Sequence, residues 1–407
     1  MELKKSTKLT NVRYDIRGPV AEEATRMEKQ GIKVMRLNTG NPAAFGFKPP
    51  SFIPKIISEN LQLTAAYSTS KGLISAREAI AGYCAKKGIE NVEISKIFTG
   101  NGVSELITIA LQALLNDGDE ILIPAPDYPL WTAIVNLMGG KVVHYLCDEA
   151  ANWYPDLDDI KRKITNKTKA IVIINPNNPT GAVYPEEILT EMCEIARRNK
   201  LVVFSDEIYD RLLMDNAVHV SFGKLAPDLP VITFNGLSKS HQLCGYRCGW
   251  LVASGDTAGM KDYLEGLNVL ASMRLCSNVP SQTIIAAALE NANFSKDLLL
   301  PGGRLYEQRE FAFKGLNEIP GFSAVKSMAG LYMFPKMDTE MLGITDDEQF
   351  VLDFLREKHV LLTHGGTYNW SEPNHFRLVY LPEVDDLREV MVRLKDFAQS
   401  YSQRSGL

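Results

Sequence analysis

The stretch KAIVIINP, residues 169–176, decides the fold class of this chain. Its apolar run is continuous instead of alternating, which is typical of a parallel strand that helices cover on both faces. Further strands are predicted at KIFTG 96–100, EILIPAP 120–126, KVVHYLCD 141–148, LVVFSDE 201–207, VITFNG 231–236 and GWLVAS 249–254. Helical spacing of apolar residues lies between several of them, over 103–115 and 185–198. The pattern predicts an α/β protein with a mostly parallel, doubly covered sheet.

The last third of the chain has a different pattern, in which short apolar runs are separated by long segments. Strands are predicted at LYMFPKM 331–337, HVLLTHGG 359–366 and HFRLVYL 375–381, and helices at 347–358 and 384–400. This pattern indicates a second, smaller α/β domain. We therefore expect an N-terminal arm with part of the small domain in residues 1–47, a large domain in 48–290 and the small C-terminal domain in 291–407.

Composition and charge limit the possible functions. The 407 residues carry a net charge of −5, which gives no basic surface of the kind that binds nucleic acid. No apolar run reaches the ~18 residues that a membrane span needs, and MELKKSTKLT at the N-terminus lacks the apolar stretch of a secretory signal. The six cysteines form no CxxC pair, so no metal site is predicted. We expect a cytoplasmic enzyme or binding protein without nucleic-acid or membrane partners.

Ligands in open α/β sheets bind beyond the carboxyl ends of the strands, so the residues after each strand are the first candidates. Gly102, Val103 and Ser104 lie between a strand and a helix, where free N–H groups and the helix dipole suit a phosphate. A simple tight turn is the alternative. Asn178, in NPNNPTG 175–181, either stabilises a rigid turn or points its amide at a ligand.

Three charged residues complete the pattern. Asp206 follows LVVF and either caps a helix or pairs with a cation such as a protonated ring nitrogen. Lys239 follows VITFNG; an exposed loop is the simpler interpretation, but an apolar site would lower its pKa and make it a nucleophile and base. Arg377, inside HFRLVY, reaches water, pairs with a core carboxylate or binds a substrate carboxylate. Together these features indicate pyridoxal phosphate acting on an amino acid.

The motifs that carry this chemistry resemble those of the class I and II aminotransferases of pyridoxal-phosphate fold type I. They are NPNNPTG 175–181, SDEIYD 205–210, GLSKSHQLCGYRCGW 236–250 and HFRL 375–378. The spacing of Lys239, Gly245 and Arg247 is the most specific feature. YDIRGP 14–19, LNTGNPAAFGF 37–47 and PAPDYPLWTA 124–133 are similar to the bacterial glutamate–pyruvate branch. The resemblance implies ping-pong transfer of an amino group between alanine or glutamate and 2-oxo acids.

The resemblance also implies a role for each matching residue around the cofactor. Lys239 would hold the cofactor's aldehyde and move the substrate proton, and Asp206 would pair with the ring N–H. The other implied contacts are Tyr209 and Asn178 at the phenolic oxygen, Tyr128 on the ring face, and Gly102, Val103, Ser104, Ser238 and Arg247 at the phosphate. Tyr67 would reach the phosphate from the partner subunit, which implies a homodimer with shared active sites.

For the substrate, the resemblance implies that Arg377 takes the α-carboxylate, with Gly40 and Asn178 nearby. Arg17, with Tyr14 closing the pocket, is our hypothesis for the distal carboxylate of glutamate or 2-oxoglutarate. His241 lies in a polar segment after the lysine; it either touches the surroundings of the cofactor or lies on a solvent-facing loop, and we expect the loop.

Three alternatives remain open. The same residues would serve an aminotransferase for aromatic, branched-chain or other amino acids, because pocket shape decides the substrate. They would also serve a pyridoxal-phosphate β-lyase on the same fold. An aminotransferase-like sensing domain of a transcription regulator is the third, and the negative net charge disfavours it.

Overall fold

A computed structural model describes residues 3–14 and 18–404. The α-helices are α1 Pro19–Lys29, α2 Ile53–Glu59, α3 Ile74–Lys86, α4 Val103–Leu114, α5 Leu130–Leu137, α6 Leu157–Lys163, α7 Glu186–Asn199, α8 Phe222–Leu225, α9 Lys261–Met273, α10 Val279–Thr283, α11 Ile285–Glu290, α12 Arg304–Asn317, α13 Thr339–Leu342, α14 Asp347–Lys358 and α15 Val384–Arg404. The strands are β1 Met35–Arg36, β2 Ile97–Asn101, β3 Glu120–Ala125, β4 Lys141–Asp148, β5 Tyr154–Pro155, β6 Thr168–Ile174, β7 Val202–Asp206, β8 Pro230–Gly236, β9 Cys248–Gly255, β10 Phe322–Ser323, β11 Tyr332–Met333, β12 Lys336–Met337, β13 Val360–Leu361, β14 Thr363–His364 and β15 Phe376–Val379. Across these two described ranges, every helix is too short or too polar to cross a lipid bilayer.

The centre of the molecule is an eight-stranded sheet with the order β2-β9-β8-β7-β6-β3-β4-β5. The neighbours from β8 through β4 are parallel, whereas β9 runs antiparallel to both β2 and β8, and β5 runs antiparallel to β4. The predicted α/β architecture with a mostly parallel sheet is therefore confirmed.

Strand β6 shows why the continuous apolar run is needed. Ala170, Val172 and Ile174 belong to one buried hydrophobic cluster. Ile171 and Ile173, which point to the opposite face, belong to another. Since successive side chains of a strand point to opposite faces, helices must cover both sides of this sheet.

The sheet brings several strand ends to one edge. Strands β3, β6, β7 and β8 are parallel, so their carboxyl ends lie together. Strand β2 is antiparallel to β9, which is antiparallel to β8, so β2 also ends at this edge. The register pairs Asp206 with Ile174 on one side and Phe234 on the other. The segments after β2, β3, β6, β7 and β8 therefore converge.

The last third forms smaller sheets, and here two predicted strands are wrong in detail. LYMFPKM divides into β11, which pairs with β15, and β12, which pairs with β10. Pro335 separates them because proline has no N–H to donate to a ladder. HVLLTHGG likewise divides into β13, which pairs with β1, and β14, which pairs with β15.

The N-terminal segment packs with this region. Val20, Ala24 and Met27 of α1 lie in the same buried cluster as Phe350 and Phe354 of α14. This packing supports our proposal that part of residues 1–47 belongs to the small domain. The domain boundaries at 48 and 290 stay predictions.

Candidate active site

Lys239 lies three residues after β8, at the edge where the strand ends converge. Its Nζ donates a hydrogen bond to the Gly40 carbonyl at 2.7 Å and lies 3.8 Å from Cys244 Sγ. Burial alone would lower the pKa of the Lys239 ammonium, but the Tyr332 phenol and the Cys244 thiol outweigh it, so the pKa is raised. The predicted lowering of this pKa is therefore wrong, because polar neighbours surround the amine.

Asp206 ends β7 and is buried. Its Oδ2 accepts a hydrogen bond from Trp131 Nε1 at 3.2 Å, and its Oδ1 accepts one from the Ile208 N–H at 3.3 Å. It caps no helix, since the next helix, α8, begins at Phe222. Burial raises the pKa of Asp206 to about 6, although the two N–H donors oppose this. A cation at this carboxyl would favour its ionised form.

Two hydrogen-bonded pairs of tyrosines lie near these residues, with Tyr332 close to Lys239 and Tyr128 close to Asp206. Tyr209 Oη donates to Tyr332 Oη at 2.9 Å, and the Tyr14 and Tyr128 hydroxyls are also 2.9 Å apart. Burial raises the pKa of Tyr209 and of Tyr128 well above the ordinary value. The phenols of Tyr209 and Tyr128 therefore stay neutral at physiological pH and act as hydrogen-bond donors or ring surfaces.

Gly102 connects β2 to α4 in a conformation suited to an anion. Its φ is +81°, and a β-carbon there would collide with the Arg247 guanidinium. No side chain caps the N-terminus of α4, so the N–H groups near Val103 and Ser104 remain available. Register brings Arg247 close, because β9 begins at Cys248, opposite Asn101. Gly102, the uncapped N-terminus of α4 and Arg247 together form a site suited to bind a phosphate.

Arg377 is a buried cation on β15. Its Nη1 donates to Asn178 Oδ1 at 3.0 Å, and its Nη2 donates to the Asn38 carbonyl. The guanidinium also lies over the Tyr332 ring, 4.2 Å from its centroid. Within the described ranges its Nε has no hydrogen-bond partner, although it is buried. Arg377 is thus a buried cation whose acceptors are neutral and whose Nε lacks a hydrogen bond. It is suited to bind the carboxylate of a substrate.

The remaining candidates differ in position. Tyr67 is 78% exposed, and Ser238 is buried beside the lysine. Arg17 lies outside the described residues. His241 is not on a solvent-facing loop: it is fully buried, its Nε2 lies 2.8 Å from the Ala288 carbonyl, and its ring stacks on Phe294. That expectation is wrong because the partners of His241 lie about fifty positions along the chain, on and after α11.

Sequence reasoning missed Trp131, Tyr332 and Cys244. Trp131 lies three residues after Tyr128 in a motif already singled out, and a buried indole needs an acceptor for its N–H. That requirement could have paired it with Asp206. Tyr332 stands in an apolar strand pattern and carries no signal of its own.

The geometry fits pyridoxal phosphate. Three groups lie at one edge of the sheet: the anion site at Gly102, the buried carboxyl of Asp206, which could hold a cationic ring nitrogen, and the amine of Lys239. Arg377, which is suited to bind a carboxylate, lies beside them. Fold and site together define a pyridoxal-phosphate enzyme that acts on amino acids.

The chain belongs to the family of class I and II aminotransferases, whose family model matches residues 32–394. Enzymes of this family depend on pyridoxal phosphate. A glutamate–pyruvate aminotransferase, AlaA, of Haemophilus influenzae is 55% identical over 98% of this chain and 99% of its own. An alanine aminotransferase of Mycobacterium tuberculosis is 51% identical over 98% of this chain and 93% of its own. The crystal structure of an Escherichia coli aminotransferase superposes with a TM-score of 0.97 at 54% identity, covering 99% of this chain and 100% of that one.

Proposed function

We propose that this enzyme moves the amino group between L-alanine and 2-oxoglutarate, and between L-glutamate and pyruvate, in the cytoplasm. The observation that carries the proposal is the 55% identity, over nearly the whole of both chains, to a protein named glutamate–pyruvate aminotransferase. The buried, carboxylate-ready Arg377 independently supports an amino-acid substrate.

Different residues of this chain bind the substrate, hold the cofactor and transfer the proton. Arg377 and Asn178 bind and orient the substrate α-carboxylate. Asp206, fixed by Trp131, would hold the cofactor's protonated ring nitrogen. Lys239 would hold the cofactor's aldehyde and would move the proton from the substrate Cα as general base. The bound cofactor supplies the electron sink that makes this proton acidic.

A half-reaction monitored by absorbance tests the substrate. The visible band of the bound cofactor is expected to disappear on addition of L-alanine or L-glutamate and to return with pyruvate or 2-oxoglutarate. Aromatic and branched-chain amino acids serve as matched controls and are expected to act more slowly. A visible band that disappears with those amino acids but is unchanged by alanine would overturn the substrate assignment. Release of pyruvate together with ammonia would indicate a β-lyase.

We also propose that the enzyme is a homodimer whose sites are shared. Several large apolar residues are exposed from the end of α2 to the first residue of α3, namely Leu61, Leu63, Tyr67 and Ile74. Exposed apolar side chains grouped in this way are typical of a protein interface. In the dimer, the exposed Tyr67 hydroxyl would reach the phosphate of the partner's cofactor.

Hybrid dimers test the sharing. Tyr67→Ala and Lys239→Ala subunits are each expected to be weakly active alone. Mixed after dissociation, they are expected to form dimers with one intact site, because the Lys239→Ala subunit donates its tyrosine to the site that keeps the lysine. Activity no higher than that of the Tyr67→Ala parent would show that Tyr67 serves its own subunit.

A further inference from the structure

A buried ion cluster lies behind the active site, at the C-terminal end of α3. Lys87 Nζ donates to Glu207 Oε2 at 2.5 Å and to Asp210 Oδ2 at 2.8 Å. Both carboxylates are fully buried, and the Lys87 side chain is only 15% exposed. Tyr83 Oη, one helical turn before the lysine, donates to the same oxygen of Asp210 at 2.7 Å.

The ammonium of Lys87 acts as the cation of this cluster. The ligand atoms of Glu207, Asp210 and His219 lie within 4.8 Å of one another, a spacing that could also hold a metal ion. Lys87 already bonds both carboxylates, and burial lowers the pKa of His219, so that ring is neutral. Burial opposes the charge of Lys87, but Asp210 and Glu207 outweigh it and raise its pKa.

The two carboxylates lie in the same five-residue segment, 206–210, as two of the active-site residues. Glu207 directly follows Asp206, and Asp210 directly follows Tyr209. Asp206 and Tyr209 bond toward the site, whereas Glu207 and Asp210 bond toward Lys87. A single ammonium therefore bonds two carboxylates, each of which is adjacent in sequence to an active-site residue.

The same cluster also reaches the strand that leads to Lys239. Asn235 Nδ2 donates to Asp210 Oδ2 at 2.8 Å, and Arg211 Nη2 donates to the Gly236 carbonyl at 2.8 Å. Gly236 is the last residue of β8, three positions before Lys239. The loop after β7, next to Asp206, and the loop after β8, which carries Lys239, are thus connected through one set of buried charges.

We propose that Lys87 is a positioning residue of the transamination reaction: by binding Glu207 and Asp210 it sets the placement of Asp206 and Tyr209 relative to Lys239. The proposal rests on the proposed function. Lys87 touches neither the substrate-binding Arg377 nor the phosphate cradle in the contacts described above. Its loss should therefore affect the chemical step more than substrate binding.

Substitution of Lys87 by methionine tests this role, with Lys86→Met, an exposed neighbour on the same helix, as the matched control. Lys87→Met is expected to lower kcat roughly 10- to 100-fold, because small misplacements of reacting groups have effects of this size. KM for L-alanine is expected to change less than about threefold. Lys86→Met is expected to match the unsubstituted enzyme in both constants.

Circular dichroism of the bound cofactor supplies a readout independent of turnover. A shift in ring placement is expected to change the ratio of the visible dichroic signal to the absorbance, whereas loss of folded protein lowers both alike. A Lys87→Met enzyme with an unchanged ratio and unchanged kcat would overturn the proposal. If the enzyme transaminates neither alanine nor glutamate, the proposed function fails, yet this ratio still decides the role of Lys87.

Tyr83→Phe covers the case in which Lys87→Met does not fold. It removes only the hydroxyl that bonds Asp210 and is expected to lower kcat about three- to tenfold, the effect of one typical hydrogen bond. The dichroic ratio is expected to shift in the same direction. Wild-type values of both quantities in Tyr83→Phe would overturn the proposal.

Discussion

Replacement of Lys239 by alanine is expected to lower kcat by about 10⁴-fold or more, since it removes the proposed general base of the reaction. The amine donates to the Gly40 carbonyl and lies beside Cys244, and no other lysine amine is described in contact with these groups. Steady-state rates with L-alanine and 2-oxoglutarate measure the effect. Lys261→Ala, at the exposed start of α9, serves as the control and is expected to keep the full rate.

Added primary amines sharpen this test. Small amines are expected to restore part of the Lys239→Ala rate, because they fit the space that the side chain leaves and supply the missing base. The restored rate is expected to rise with the basicity of the amine. A Lys239→Ala enzyme that kept its rate within about tenfold of the unsubstituted enzyme would contradict the assignment.

Asp206→Asn is expected to lower kcat on the order of 10²- to 10³-fold, the loss typical of removing one group that stabilises transition-state charge. Asparagine keeps the shape of the side chain but cannot hold the ring nitrogen protonated. Rapid-mixing measurements of the alanine half-reaction would separate this effect from cofactor loss. An Asn variant as fast as the unsubstituted enzyme would show that the ring nitrogen needs no carboxylate here.

The stabilities of the unsubstituted enzyme and of Asp206→Asn, both prepared without cofactor, are expected to differ in their dependence on pH. Burial raises the pKa of Asp206 to about 6, above the ~3.9 of an unfolded aspartate. A raised carboxyl pKa means that ionisation opposes folding, so this group lowers stability as pH rises from about 4 to about 6. The apo enzyme is expected to lose up to roughly 3 kcal/mol relative to Asp206→Asn over that range. Urea titrations at several pH values measure this difference, and parallel stability curves would contradict it.

The sequence predicts seven of the eight strands of the large sheet, all except the two-residue edge strand β5, because each of these seven is marked locally. Continuous apolar runs such as 169–176 need no partner to be recognised as buried, and the turn residues around Asp206 and Lys239 follow them directly. The short strands 332–333 and 336–337 are different, because pairing partners far along the chain decide where each begins.

Contacts across long separations set the parts of the site that sequence reasoning missed. Trp131 reaches Asp206 over 75 positions, and His241 is buried against residues about fifty positions away. Lys87 meets Glu207 over 120 positions. Neither a tryptophan, a histidine nor a lysine carries a local signal of such a partner, so these roles depend on the register of the folded sheet.

The connection between β8 and β9 is short and carries two of the proposed cofactor attachments. It runs from Leu237 to Arg247, between Gly236 and Cys248. Lys239 near its start would hold the aldehyde end of the cofactor, and Arg247 at its end would hold the phosphate. The same loop would therefore bind the cofactor at two of its ends. Insertion or deletion of one residue in this loop would displace Lys239 relative to Arg247. The exposed loops of the small domain, by contrast, are free to vary in length across evolution.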